Sequence, residues 1–282
     1  MSQSAENPLE QLLAQRGQRP FAYQRAVWQA HADGRSGLVH VPTGCGKTLA
    51  AAGGLLLEAL DGERSERLYE RALHLLWVTP LRALARDTTA ALREVVDELG
   101  LPWRVELRTG DTPSAVKSRQ RKDPPEVLVT TPESLSLMLT WPHHPDLFAH
   151  LTTVVVDEWH ELLSTKRGTQ TELALARLRA LCPDLRTWGL SATLANLDEA
   201  RVALLGVEGA GLRIDECGEA LAGPIAIDTL MPDELTRFPW SGHLGLALLD
   251  QVVAELDAPG TALLFTNTRS QVEIWHHALL EA

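Results

Sequence analysis

Residues 37–48 read Gly37-Leu-Val-His-Val-Pro-Thr-Gly-Cys-Gly-Lys-Thr48. A short apolar run leads into a glycine-rich turn, and a lysine–threonine pair then opens a helical pattern. This is the local context of a phosphate-binding P-loop. Glycines let the turn aim backbone N–H groups at phosphate oxygens. The helix amino end adds a dipole that favours an anion. In such a loop Thr43, Gly44, Cys45 and Gly46 cradle phosphate. Lys47 reaches the β- and γ-phosphates, and the Thr48 hydroxyl ligates Mg²⁺. Val41 stands where the GxxxxGK[ST] pattern has its first glycine, and its bulk is expected to reshape the start of the loop.

Outward from the loop, short apolar runs of strand length recur at Leu73–Val78, Val127–Val129, Leu151–Val156 and Trp188–Leu190. Segments of helical period lie between them, among them Arg82–Leu99 and Thr169–Leu181. Alternating strands and helices imply βαβ units, an α/β fold and a mostly parallel sheet. Each strand runs into polar residues: Thr79-Pro80-Leu81-Arg82, Thr131-Pro132-Glu133, Asp157-Glu158-Trp159-His160 and Ser191-Ala192-Thr193. The carboxyl edge of such a sheet is where ligands bind. A helix is expected at Leu197–Leu205, followed by a stretch rich in Gly, Ala and acids. The pattern then restarts with Ile225-Ala-Ile227, a helix at Leu244–Leu256, a strand at Ala262–Phe265 and a helix from about Ser270. The expected division is a first domain over 1–208, a linker over 209–221 and the beginning of a second α/β domain over 222–282.

The 282 residues are 45% hydrophobic and 22% charged, enough for a sizeable core. That composition excludes a disordered tail and a disulfide scaffold. No apolar run approaches the roughly 20 residues of a membrane span, and the first residues lack a secretory pattern. Cys45, Cys182 and Cys217 have no metal-ligand spacing, and reduced thiols in the cytoplasm are expected. Net charge is −11, which argues against nucleic-acid binding by the whole surface but permits one basic face. The run Lys117-Ser-Arg-Gln-Arg-Lys122 is locally basic and reads as a solvated loop that supplements backbone binding.

Asp157 and Glu158 divide a task that needs two carboxylates. Asp157 would hold Mg²⁺, and Glu158 would orient and deprotonate the attacking water. Gln24, upstream of the P-loop, carries an amide that both accepts and donates, suited to the adenine edge. Thr79, Pro80, Arg82, Thr109, Gly110, Thr131, Pro132 and Glu133 stand at helix starts on one sheet edge, where hydroxyls and amides contact phosphates without reading bases. His143-His144 lacks partners at ligand spacing and reads as loop. Trp159 has no assignable role from sequence.

The ordered set resembles the superfamily 2 DEXH-box helicases: Gln24, Pro42–Thr48, Thr79–Arg82, Thr131–Glu133, Asp157–His160, Ser191–Thr193 and LLFTNTRS at Leu263–Ser270. More narrowly, VPTGCGKTLAA, WVTPLRALARDT, LRTGDTP, TTPESLSLML and VVVDEWHELLSTKRG resemble the Lhr-type (large helicase-related) group, and within it the bacterial ligase-associated helicases. The resemblance implies two RecA-like domains with ATP and Mg²⁺ between them. It implies that His160, Ser191 and Thr193 couple hydrolysis to DNA binding, and that Thr266, Asn267 and Arg269 touch DNA from the second domain. It also implies 3′-to-5′ movement on single-stranded or tailed duplex DNA, a role in DNA repair, and a DNA ligase with a nuclease or metallophosphoesterase as partners in a bacterial cytoplasm. The family's chain continues beyond LLFTNTRS to an arginine that completes the ATP cleft. The expectation is therefore a truncated chain with weak nucleotide binding, ATPase near background and no unwinding. Two other readings stay open: an RNA-directed or duplex-translocating relative, and an ATP-responsive binding module without turnover.

Overall fold

The computed structural model of the chain describes residues 7–61, 68, 70–206, 211–215, 227–231, 245–257 and 262–282. The chain divides into two compact units, Met1–Gly223 and Pro224–Ala282. The first opens with helices α1 (Pro8–Gln15) and α2 (Ala22–Ala32). Strand and helix then alternate through β1 (Gly37–His40), α3 (Lys47–Leu60), β2 (Leu75–Val78), α4 (Arg82–Glu98), β3 (Val105–Arg108) and α5 (Ser114–Lys122). Next come β4 (Val127–Thr130), α6 (Pro132–Leu139), α7 (His144–Phe148), β5 (Thr153–Val156), α8 (Trp159–Leu162) and α9 (Lys166–Leu181). The unit ends on β6 (Arg186–Ser191), α10 (Leu197–Leu205) and β7 (Leu212–Asp215).

These strands form one sheet in the order β3-β4-β2-β5-β6-β1-β7, parallel throughout. β1, β2, β4 and β5 are buried along their whole length, as helices on both faces require. Successive side chains feed opposite cores. Val39, Trp77, Val129 and Val155 pack with α3 and α4 on one face. Leu38, Leu76, Leu128 and Val154 pack with α9 and α10 on the other. The chain crosses from β1 over β6 and β5 to β2. The loops after β1, β5 and β6 therefore occupy one half of the carboxyl edge, and those after β2, β4 and β3 the other.

The fold is the RecA-like α/β arrangement, with two strands beyond those expected. β3 pairs with β4 at one edge. β7 falls inside the stretch 209–221 expected as linker and pairs with β1, Gly37 opposite Leu212. It covers an edge of β1 that would otherwise expose unpaired backbone.

The second unit holds a 3₁₀ turn at Leu246–Leu248, α11 (Leu249–Asp257) and α12 (Arg269–Glu281). The Thr268 hydroxyl caps α12 by accepting from the Gln271 N–H. Residues 262–265, expected as a strand, join no sheet among the described residues. A strand exists only through a neighbour's ladder, and Leu263 and Phe265 stand strongly exposed. The expected strand at 225–227, apart from Ile227, lies outside the described residues, as does Cys217. Among the described residues no helix is long and apolar enough to cross a membrane.

Candidate active site

β1 ends at His40, and the chain turns through residues 41–46 into α3. Gly44 and Gly46 have φ of +80° and +76°, a region that disfavours side chains. No side chain caps α3, so its first-turn N–H groups stay open to an anion. Lys47 is nearly buried, and its Nζ donates to the Val41 carbonyl at 3.3 Å. The Val41 side chain packs wholly into the core. Its bulk goes there rather than into the loop, and its N–H continues the sheet to the Ser191 carbonyl at 3.1 Å.

α2 braces the loop from beneath. The Tyr23 hydroxyl donates to the Cys45 carbonyl. Gln24 accepts from the Phe21 N–H at 2.9 Å and donates to the Gly46 carbonyl at 3.0 Å. Half of its amide is thus engaged within the protein, a bracing role that sequence reasoning missed. One N–H and one lone pair remain for an adenine edge. A cavity of about 450 Å³, lined among others by Phe21, Gln24, Gly44, Gly46 and Thr48, adjoins the loop. Its size suits a small-molecule ligand.

β5 delivers Asp157 to the same half of the sheet edge. Asp157 is buried, accepting from the Trp77 indole N–H at 3.2 Å and from the Glu158 N–H at 2.9 Å. Burial and the neighbouring Glu158 charge push its pKa up to about 6, against the pull of the Trp77 bond and Lys47. Glu158 holds a left-handed backbone, φ +45° and ψ +49°, which is strain of the kind found at functional sites. Next to it, His160 Nδ1 shares a 3.0 Å hydrogen bond with Ser191 Oγ and lies 3.5 Å from the Glu158 carboxylate. Ser191 is fully buried, whereas Thr193 is exposed. Trp159 acquires a role: it is fully buried and its indole N–H donates to the Ala200 carbonyl at 2.9 Å, pinning α8 to α10.

His40 was also missed. Its Nδ1 lies 3.0 Å from the Asp215 carboxylate, and its Nε2 accepts from the Leu194 N–H at 3.2 Å. The ring thus ties the loop after β6 to β7. The only signal was β7 itself, hidden in the expected linker.

On the other half of the edge, the loops after β2, β3 and β4 converge on a groove of about 640 Å³. Pro80, Arg82, Thr109, Gly110, Thr131 and Glu133 line it, the threonines with little of their side chains exposed. Thr79, Thr109 and Thr131 are buried, and Pro132 is buried with them. The Thr109 N–H, for example, donates inward to Thr112 Oγ1 at 2.9 Å. What the groove presents is guanidinium and leucine. Arg82 is chelated by Asp111, with both oxygens at 2.8 Å. Arg167, unflagged by sequence, holds Glu133 at 2.5 and 3.3 Å and donates to the Pro80 carbonyl at 2.7 Å. Burial pushes the Glu133 carboxyl up, but Arg167 outweighs it and the pKa is lowered. Arg108 and Lys117 also line the groove. Among the described residues neither has a carboxylate partner. Leu81 and Leu137 stand 54% and 59% exposed beside them.

Thr266, Asn267 and Arg269 lie in the second unit. The Thr266 hydroxyl donates to the Thr268 carbonyl at 3.1 Å, and the Asn267 N–H donates to Gln271 Oε1 at 3.1 Å. Arg269 opens α12, exposed.

The family model described as DEAD/DEAH box helicase matches residues 21–200, which span this loop, Asp157-Glu158 and the groove. The chain belongs to the DEAD/DEAH box helicase family. The chain is 36% identical over 267 residues to the ATP-dependent helicase Lhr-Core protein 2 of Thermococcus barophilus, covering 88% of this chain and 30% of that protein. It is 36% identical over 206 residues to the Lhr helicase/uracil glycosylase of Escherichia coli, covering 67% of this chain and 13% of that protein. The chain thus spans about 30% or less of the length of these relatives. Among solved structures, Mycobacterium smegmatis helicase Lhr bound to ssDNA and AMP-PNP superposes with a TM-score of 0.77 at 30% identity, covering 98% of this chain and 36% of that one.

The donor set of the site suits Mg²⁺ and a triphosphate. Asp157 and Thr48 offer hard oxygen ligands. A carboxylate raised to about 6 by burial is one that a cation would stabilise. The open α3 amides and Lys47 suit phosphate oxygens.

Proposed function

We propose that this chain carries the ATP site and half of the nucleic-acid track of an ATP-dependent DNA helicase or translocase. It is of the Lhr type, nearest the ligase-associated branch, moving 3′-to-5′ on single-stranded DNA in repair. The observation that carries this reading is the shared sheet edge. The P-loop, Asp157, Glu158 and the His160–Ser191 bond occupy one half of it, and the cationic groove occupies the other.

In this reading the loop amides and Lys47 hold the phosphates of ATP, and the Gln24 pocket takes the base. Thr48 and Asp157 hold Mg²⁺, which offsets charge on the transferring phosphoryl group. Glu158 takes the proton of the attacking water. His160, hydrogen-bonded to Ser191, links the position of Glu158 to the loop that ends at Thr193. Arg82 and Arg167 set the walls of the groove, and the exposed leucines give bases a surface to rest on. The second unit would add Thr266, Asn267 and Arg269 to the backbone contacts.

Phosphate release and strand separation on matched DNA and RNA duplexes with 3′ or 5′ tails test the reading. Stimulation by DNA with a 3′ tail is expected of a longer protein that carries both RecA-like domains, and turnover near background of residues 1–282 alone. Activity confined to RNA, or to 5′ tails, would contradict it.

A further inference from the structure

Trp141 follows α6, half-buried, with two guanidiniums against its indole. Arg108 Cζ lies 4.7 Å from the ring centroid and Arg121 Cζ 5.1 Å. Each contact is favourable, but the two cations repel each other. Burial, and then the Arg121 charge, hold the Arg108 pKa below its ordinary value. Arg108 is only 5% exposed, and its Nη1 donates to neutral acceptors, the Lys117 carbonyl at 3.0 Å and Gln120 Oε1 at 3.2 Å. The nearby carboxylates are engaged elsewhere: Glu106 by Arg119 and Gln120, Asp123 by Arg104. Asp146, strongly exposed, lines the cleft itself, 3.7 Å from His143. Among the described residues no carboxylate pairs with Arg108, Arg121 or Lys122. In a chain of net charge −11, a buried guanidinium without a counter-ion is costly unless a ligand supplies the anion.

The platform is also held in place. His144 Nδ1 bonds the Trp141 carbonyl at 2.8 Å, and its Nε2 accepts from Arg177 at 2.8 and 3.2 Å. Trp141, Arg121 and Lys122 line a cleft of about 530 Å³. Arg108 belongs to the candidate strand groove and touches this cleft through Trp141. The cationic surface therefore runs from the groove along α5 into the cleft.

We propose that the Trp141 cleft is a second backbone site, in which Arg108, Arg121 and Lys122 bind phosphodiester groups of the nucleic acid where it leaves the groove. This rests on the nucleic-acid reading of the groove. A guanidinium held over an indole can still direct N–H groups at phosphate. Contacts of this kind add affinity without reading sequence.

The test is equilibrium binding of labelled single strands of about 6 and about 20 nucleotides, the shorter filling only one site, over a salt series. Arg121→Gln combined with Lys122→Gln changes two exposed side chains and leaves the fold intact. The long strand should weaken about tenfold at low salt, with a salt slope shallower by about 1.4, while the short strand binds as before. Arg82→Ala, which leaves Asp111 uncompensated in the groove, should weaken both strands. If the double variant binds the long strand like the parent, or weakens both strands alike, the second site is overturned. If Arg82→Ala alters neither strand while the double variant weakens the long one, the groove reading fails and the cleft stands by itself. If the parent binds neither strand, both fall.

Discussion

Glu158 carries the strain of the site in its left-handed backbone and, in the proposed reading, the base in its side chain. In a longer protein with both RecA-like domains, Glu158→Gln keeps shape and removes the proposed base, so MgATP binding should persist while phosphate release falls roughly 10²-fold. Asp157→Asn should instead weaken Mg²⁺-dependent nucleotide binding. Unchanged Mg²⁺ dependence in that variant, by titration of nucleotide with and without the metal, would remove Asp157 from the metal role. His40 bears a different load. His40→Ala releases the Leu194 N–H, so the loop bearing Ser191 and Thr193 should loosen. We expect nucleic-acid stimulation of phosphate release to drop while MgATP affinity stays within about twofold, since the ring's bonds to Asp215 and Leu194 lie outside the P-loop. An equal loss of both would show that His40 serves the fold rather than the coupling loop.

At the scale of elements, α9 docks where it does because Gly168 has no side chain. A Cβ there would sit 2.0 Å from the Leu162 carbonyl oxygen. Gly168→Ala must push α9 away from α8 and take Arg167 from Glu133 and Pro80. A loss of about 1–3 kcal/mol in denaturant unfolding is expected, and weaker strand binding with it. A variant as stable as the parent would show that the two helices yield easily. The same scale separates what was legible in the sequence from what was not. β1, β2, β4 and β5 are apolar runs buried on both faces, a signal that needs no partner to be read. β3 (VELR) and β7 (LRID) are four-residue edge strands that each carry two charged residues, and four such residues look like loop. The phosphate loop and Asp157-Glu158 were readable because their chemistry is contiguous. The pairs Arg82–Asp111 and Arg167–Glu133 span 29 and 34 positions, and Arg108 meets Trp141 only through the fold. The burial of Thr79, Thr109 and Thr131 was not legible, because capped helix starts and phosphate contacts share one composition.

In the first unit as a whole, the sheet's amino edge is tied together apart from the chemistry. Arg186 at the start of β6 grips Glu58 of α3 at 2.5 and 3.2 Å and donates to the His31 carbonyl of α2 at 3.2 Å. Burial pushes Glu58 up, but Arg186 outweighs it and its pKa falls to about 2. His31 Nε2, at 3.5 Å from Glu58, is too distant for a good hydrogen bond, and the Arg186 pair carries the depression. A depressed carboxyl stabilises the fold above its unfolded value of 4.5 and loses that contribution as pH falls from there to about 2. Glu58→Gln should therefore cost on the order of 1–2 kcal/mol at neutral pH after solvent screening. The gap to the parent should close as melts are taken from pH 5 towards pH 2 (roughly the window between the two values). A gap that does not change with pH would place its origin in packing.

In the proposed reading the loop from Thr43 to Thr48 and Asp157 together bind MgATP. Equilibrium binding of a fluorescent ATP analogue, with and without Mg²⁺, measures it directly in the parent and in Lys47→Ala. Mg²⁺-dependent binding by the parent and a loss of about tenfold or more in Lys47→Ala, with unchanged thermal melting, is the predicted result. Equal affinity in the two proteins, or binding indifferent to Mg²⁺, would contradict it.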